Sequence, residues 1–443
     1  MRFLMSVALA CLTSVSITAQ AQVHEYQLDN GMKVLVKEDH RAPVVVSQVW
    51  YKVGSSYEHN GVTGISHMLE HMMFKGTHIH EPGEFNRIIA ENGGSDNAFT
   101  GRDYTAYFQT LEKSRLNVSM ALESDRMRNV VLKDEEFQPE RQVVREERRQ
   151  RVDDNPTSKL YEQFSAMAYA SSPYHHPIIG WEEDINHYRL EDLKDWYRAW
   201  YAPNNATLVV VGDVNPDEVY AMAKKYYGPI AAGPVRTLKP QREFPQRGER
   251  RLHLHDEKTV NPYVLMGFKV PSLATIEPEN EWEVYALEVM SGVLSGGDSA
   301  RLPKELVRGQ KIAASASAGY SLFDRMNTLF LFDASPSKGV SLEEQEKAIW
   351  AQIDRLKTER VSVEELDKIK AQVKASSIFE KDSIFYQAMQ LGRLETVGVG
   401  WQKADEYLDK VNAVTPEQIQ QVAQKYLIKN TLTVGELLPE EAH

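Results

Sequence analysis

Leu190-Glu191-Asp192-Leu193, continuing to Tyr201-Ala202-Pro203-Asn204-Asn205-Ala206-Thr207-Leu208-Val209-Val210-Val211-Gly212-Asp213, has an echo half a chain later. Thr415-Pro416-Glu417-Gln418-Ile419 continues there to Tyr426-Leu427-Ile428-Lys429-Asn430-Thr431-Leu432-Thr433-Val434-Gly435-Glu436. In each copy a helical stretch closes on a tyrosine, an Asn-bearing joint follows, and a β-branched run reads as a strand. The interval is far too long for a solenoid repeat. Duplication of one α+β domain is the economical reading.

The same strand and helix grammar extends outward from both copies. Residues 26–35 read as a hairpin around Asn30-Gly31, and 44–53 as a buried strand. Helical period marks 61–74, 84–91, 114–131 and 139–152, the last opening with Pro139 in its first turn, while 98–110 look extended. From Gly228 to Arg250, Gly228-Pro229, Gly233-Pro234, Pro240 and Pro245 break any periodicity, so this segment is a connector. Beyond it come a strand at 261–270, a helix at 281–294 and a strand at 328–335. The expected organisation is an N-terminal domain over 22–230, a linker over 231–250 and a homologous C-terminal domain over 251–443.

Composition narrows the function. The chain has 443 residues, 42% apolar and 26% charged, which fits several ordinary domains and excludes disordered, collagen-like and coiled-coil classes. Its 51 basic and 63 acidic side chains give a formal charge of −12 with no Lys/Arg-rich block, which argues against a nucleic-acid partner.

Met1-Arg2 is a short basic start, 3–17 are mostly apolar but too short for a bilayer, and Ala19-Gln20-Ala21 fits a cleavage site. Residues 1–21 therefore read as a signal peptide and the protein as exported. Cys11 offers a lipid-anchored alternative that fits less well, because it stands early and Ala8 occupies the −3 place. Cleavage removes the only cysteine, which excludes disulfides, a Cys nucleophile and Cys-ligated zinc. No later stretch reaches the length of a transmembrane segment.

His67-Met68-Leu69-Glu70-His71 carries the chemistry. Imidazoles at i and i+4 share a helical face and can reach one ion, with Glu70 beside them. This H-x-x-E-H order inverts H-E-x-x-H and is itself a catalytic metal motif. Ile65, Met68, Leu69, Met72, Met73 and Phe74 argue against a merely solvated face, since an otherwise apolar helix has no reason to turn such groups inward unless something binds them. A catalytic zinc takes three protein ligands and an open position. With no cysteine, the third ligand reads as a carboxylate from 139–152, which offers Glu140, Glu146 and Glu147. Glu140 and Glu147 nearly eclipse on one helical face, with Val143 and Val144 close by to turn that face toward the core. Glu147 is thus the ligand candidate and Glu140 its supporting carboxylate, whereas Glu146, flanked by Arg145 and Arg149, reads as solvated. The pairs His78/His80 and His253/His255 have no evident third ligand, and Trp181, Trp196 and Trp200 read as core or interface rather than a ligand platform. Gly296-Gly297 is too little for a phosphate loop.

With these residues in hand the chain resembles the insulinase/pitrilysin family of zinc peptidases, in its short two-domain branch of processing peptidases. The resemblance rests on Gly64 to Thr77, on Gly93-Gly94-Ser95-Asp96-Asn97-Ala98-Phe99-Thr100, on Glu140 to Glu147, and on Gly180-Trp181 and Pro203-Asn204-Asn205-Ala206. It implies two homologous α+β domains, each a mostly antiparallel sheet packed with helices. It also implies one Zn2+ per chain on His67, His71 and Glu147, with Glu70 as the base that activates water and Glu140 in support. Asn97, Ala98 and Phe99 resemble the family's edge strand, which holds a peptide by strand addition. The activity implied is that of a zinc metalloendopeptidase on unfolded peptides, periplasmic in a bacterium.

The C-terminal half departs from that pattern. Relatives place an Arg–Tyr pair against the substrate carbonyl; here Arg301 is kept but Ala314 stands where the tyrosine belongs, with Tyr320 six residues on as a substitute. Losing such a donor costs about 10²–10³ in rate. The resemblance supplies an answer: a homologous partner subunit that contributes the Arg–Tyr pair, or a homodimer. The competing reading is a low-activity binding or assembly subunit of a heterodimeric peptidase.

Overall fold

A computed structural model describes residues 22–239 and 241–440; the signal-peptide reading of 1–21 lies outside the described residues. The chain opens with β1 (Val23–Gln27), β2 (Lys33–Glu38) and β3 (Val44–Tyr51), followed by α1 (Ile65–Met72) and α2 (Glu84–Glu91). Next come β4 (Ser95–Thr100), β5 (Thr105–Glu112), α3 (Leu116–Asn129), α4 (Asp134–Arg148) and α5 (Pro156–Ala168). This half closes with α6 (Glu182–His187), α7 (Leu190–Trp200), β6 (Ala206–Gly212) and α8 (Pro216–Tyr226). The second half runs β7 (Arg250–Asp256), β8 (Tyr263–Val270), α9 (Trp282–Ser295), β9 (Ala313–Gly319) and β10 (Thr328–Pro336). It ends with α10 (Leu342–Thr358), α11 (Val363–Asp382), α12 (Ile384–Thr396), α13 (Lys403–Ala413), α14 (Pro416–Tyr426) and β11 (Leu432–Pro439).

The fold is α+β with two mostly antiparallel sheets, ordered β1-β2-β6-β3-β5-β4 and β7-β11-β8-β10-β9, whose topologies match apart from the extra edge strand β1. The echoed sequences occupy equivalent places. α7, a one-turn 3-10 segment and β6 repeat as α14, a one-turn 3-10 segment and β11. β6 pairs parallel with β2 and antiparallel with β3, and β11 does the same with β7 and β8.

β3 explains how a continuous apolar run becomes a central strand. Successive side chains alternate faces, so Val45, Val49 and Tyr51 enter the first half's own helical core while Val46 and Trp50 point the other way. That second face is covered from across the chain: Ala388 and Leu391 of α12 meet Leu35, Val46, Trp50, Val209 and Val211. The favour is returned by α5, whose Leu160, Phe164 and Ala168 pack on Leu265, Leu329 and Leu437 of the second sheet. Each sheet is therefore sealed by an arm of the other half. Gly392 permits one contact, since a Cβ there would lie 2.1 Å from Trp50 Nε1. A buried polar knot joins the halves as well. Arg325 Nε donates to Asp103 Oδ1 at 3.1 Å, and the same carboxylate accepts from Ser56 Oγ at 2.7 Å and from the Tyr174 hydroxyl.

Two sequence expectations are corrected here. α4 starts at Asp134 rather than at Pro139, because Asp134, Glu135 and Glu136 load its first turn with the negative charge that the helix N-terminus favours. Pro139 then lies inside the helix. The extended stretch 98–110 is two strands, β4 and β5, folded at a turn where Gly101 N donates to Tyr104 O at 2.8 Å.

Candidate metal centre

α1 is short and its start is fixed by an acid from the turn just before it. Gly64 precedes it at φ 81°, and the amides of Gly64 and Ser66 donate to the buried Glu58 carboxylate at 2.6 and 2.8 Å. Glu58 thus fills the role of an N-cap and adds charge complementary to the helix dipole. Gly64 also lies against Gly180: a Cβ on Gly64 would sit 2.3 Å from Ile179 O. Only glycine allows this approach at that positive φ.

From α1, His67 and His71 point at α4. Their ring-nitrogen donors and one Glu147 carboxylate oxygen all lie within 4.8 Å of one another. His67 Nε2 is 3.7 Å and His71 Nε2 3.3 Å from Glu147 Oε2. Ligand atoms on a tetrahedral zinc at its usual bond lengths stand about 3.4 Å apart, so the donor set fits. Among the described residues no other His, Cys, Asp or Glu trio converges in this way.

The surroundings orient these donors. Glu140 Oε1 lies 2.8 Å from His71 Nδ1, which leaves Nε2 free to face Glu147. Lys75 Nζ, 2.5 Å from Glu140 Oε2, anchors the other carboxylate oxygen, and Arg151 Nη1 holds Glu147 Oε1 at 2.7 Å. Burial drives the His67 imidazole down to about 4, the neutral form that ligates a cation. For His71 burial also opposes charge, but hydrogen bonds to Glu140 and Glu147 outweigh it and lift the ring to about 9. Two carboxylates converging on one imidazole make a site that attracts positive charge at its centre.

Glu70 lies beside this trio. Burial pushes its carboxyl above the usual range, partly opposed by the Thr100 hydroxyl that donates to it. Thr100 belongs to β4, which pairs with β5 on one side and leaves its other edge open. Asn97, Ala98 and Phe99 of β4 line a cavity of about 900 Å³ together with His67, Glu70, His71, Glu140 and Glu147. Arg301 is not brought there. It is buried in the second half, with Nε and Nη2 on Glu365 at 2.7 and 2.8 Å. Tyr320 donates to Pro271 O at 2.7 Å, and Ala314 is exposed on β9. Val143 is 50% exposed while Val144 is fully buried, so only the latter turns α4 inward. Glu58, Lys75, Thr100 and Arg151 were not anticipated as parts of the site. Arg151, one turn after Glu147, carried a readable i,i+4 signal; Thr100 carried none.

Comparison with known proteins gives the chain a family. Residues 33–181 match the model of the insulinase family, peptidase family M16, and 188–373 match the one described as the peptidase M16 inactive domain. The chain belongs to the M16 peptidase family. The first match contains His67, Glu70, His71, Glu140 and Glu147, and the second contains Arg301 and Ala314. The zinc protease PqqE of Helicobacter pylori is 36% identical over 387 residues, spanning 86% of this chain and 85% of that protein. The uncharacterized zinc protease YmxG of Bacillus subtilis is 25% identical over 403 residues, spanning 91% and 95%. The crystal structure of a protease from Helicobacter pylori superposes with a TM-score of 0.89 at 32% identity, covering 95% of this chain and all, 100%, of that one. Among M16 relatives the two-sheet fold is thus shared, and a peptidase-like role follows from it together with the zinc-protease relatives.

Proposed function

We propose that this chain is a zinc-dependent endopeptidase that hydrolyses unfolded peptides or small proteins. The observation that carries the reading is the convergence of His67, His71 and Glu147 next to Glu70 and an open strand edge. A zinc ion held by these three residues would supply Lewis acidity and ionise water near neutral pH. Glu70 takes the proton of the attacking water and returns it to the leaving amine, its raised carboxyl suiting both steps. Thr100 fixes one oxygen of Glu70 so that the other faces the cavity. The free edge of β4, through Asn97, Ala98 and Phe99, pairs with the main chain of the substrate, which favours extended segments over a particular sequence.

The C-terminal support for the reacting carbonyl comes, in this proposal, from a second homologous chain or a second copy that supplies an Arg–Tyr pair. Arg301 tied to Glu365 and Ala314 without a hydroxyl favour that arrangement over self-sufficiency. The same two features favour the second reading, a binding subunit with little turnover of its own. Export with loss of residues 1–21 places the activity in the periplasm; no helix among the described residues is long and apolar enough to cross a membrane. A quenched peptide offered to the purified chain, alone and with a homologous candidate partner, separates the readings. Chelator-sensitive cleavage lost in Glu70→Gln supports the endopeptidase; no cleavage in any combination overturns it in favour of the binding subunit.

A further inference from the structure

The duplication has left a second cavity. It measures about 890 Å³, against about 900 Å³ for the one at the metal centre, and lies in the second half between α9, α11, α12 and α13. Its position is equivalent: the helix after the long central strand forms one wall, and the end of the edge strand another. α9 contributes Glu288 there, as α1 contributes Glu70 to the first cavity. No histidine stands on α9, and α11 presents Ile369, Gln372 and Val373 along its wall, with Glu380 the one acid it adds to the lining.

Two charged groups in this cavity are incompletely satisfied. Glu288 receives one long hydrogen bond, from the Tyr407 hydroxyl at 3.4 Å, and no cation pairs with it among the described residues. Burial pushes its carboxyl up to about 7. Arg393, on α12, donates through Nη2 to Ser321 Oγ at 3.1 Å and lies 3.6 Å from Asp324, but its Nε is buried without a hydrogen-bond partner. An acid and a base therefore line one cavity without closing on each other. Leaving Glu288 buried with so weak a partner is costly, and Arg393, whose side chain is 36% exposed, keeps an unmatched Nε, so a ligand carrying the opposite charges would satisfy both. At the mouth, Phe379 and Tyr386 are 74% and 60% exposed and offer apolar surface.

We propose that this cavity binds a short peptide by its free ends, the ammonium against Glu288 and the carboxylate against Arg393, with an apolar side chain on Phe379 and Tyr386. The volume is within the about 300–1,000 Å³ range of small-ligand sites, which limits the guest to a few residues. Hydrolysis is not needed for this binding, so the proposal stands apart from the peptidase reading.

Titration calorimetry on a Glu70→Gln background, which removes turnover, tests it with the free tripeptide leucyl-phenylalanyl-alanine. Glu288→Gln and Arg393→Gln are each expected to weaken binding by about tenfold or more, and His67→Ala to leave it within about twofold. N-acetylation and C-amidation of the tripeptide should each weaken binding to the parent by a similar factor, which decides the matter even where a cavity variant fails to fold. Undetectable binding at millimolar tripeptide, equal affinity for free and doubly blocked peptide, or loss of binding on His67→Ala would overturn the proposal, the last by locating the peptide at the metal centre.

Discussion

The two cavities share a fold and almost nothing else. In the first, two imidazoles and the Glu147 carboxylate crowd within 4.8 Å around a point that attracts a cation, and Glu140, Lys75 and Arg151 hold them there. In the second, Glu288 and Arg393 line a comparable volume without pairing with each other, Glu288 holding one long hydrogen bond from Tyr407 and Arg393 resting 3.6 Å from Asp324 with its Nε unmatched. The same helix, edge strand and covering helix surround both. What separates a hydrolytic centre from a recognition pocket is which few side chains the duplicated scaffold carries, so function belongs to the site and not to the architecture.

The strongest way to break this comparison is to delete a donor on each side. His67→Ala should abolish stoichiometric zinc, read by elemental analysis, and with it peptide cleavage, whereas Glu288→Gln should leave both unchanged. Comparable losses in the two variants would erase the division of labour. A milder change sharpens it: Glu140→Gln keeps all three donors but frees His71 Nδ1, and metal affinity, measured by competition with a chromophoric chelator, should fall about 10–100-fold.

The interlock of the halves gives the next effect. Gly392→Ala forces a methyl into Trp50 and should cost about 1–3 kcal/mol in urea unfolding, still as one transition because each sheet needs the other half's arm. Two separate transitions would show the halves to be independent. The smallest effect is a pH dependence. Tyr407, Arg393, Tyr320 and Glu380 are the titratable and charged groups facing Glu288 from α13, α12, the end of β9 and α11. Its carboxyl is raised from 4.5 to about 7 in the fold, so the wild type loses stability relative to Glu288→Gln as pH rises from 4.5 to about 7, and the gap then levels. Thermal melts should show a gap of about 1–2 kcal/mol, less than a full shift implies because the cavity admits water.

How much of this was readable in the chain follows the range of each interaction. His67, Glu70 and His71 lie on one helical turn, where spacing alone places them on one face. The repeated helix, joint and strand at 190–213 and 415–436 were equally local, and with them the doubled topology. Glu147 needed a choice among three acids on one helix, which the position of Val144 favoured and the exposed Val143 did not. The start of α4 was misjudged because Pro139 is a strong local signal and the acidic turn before it a diffuse one. Glu58 lies close before α1 and was missed because its spacing follows no regular capping pattern, whereas Glu365 on Arg301 joins segments whose approach only the packed fold decides. The crossed arms α5 and α12 were invisible for the same reason. Their apolar faces announce that something is covered, and not what.

That crossing constrains history as well as stability. A gene for either half alone would yield a sheet with one bare apolar side and a dangling helix built to shield someone else's. The single-unit ancestor of this chain is therefore most simply pictured as a swapped pair, each molecule lending its limb to its twin, with fusion later making the exchange permanent and freeing one member to drift from its former trade.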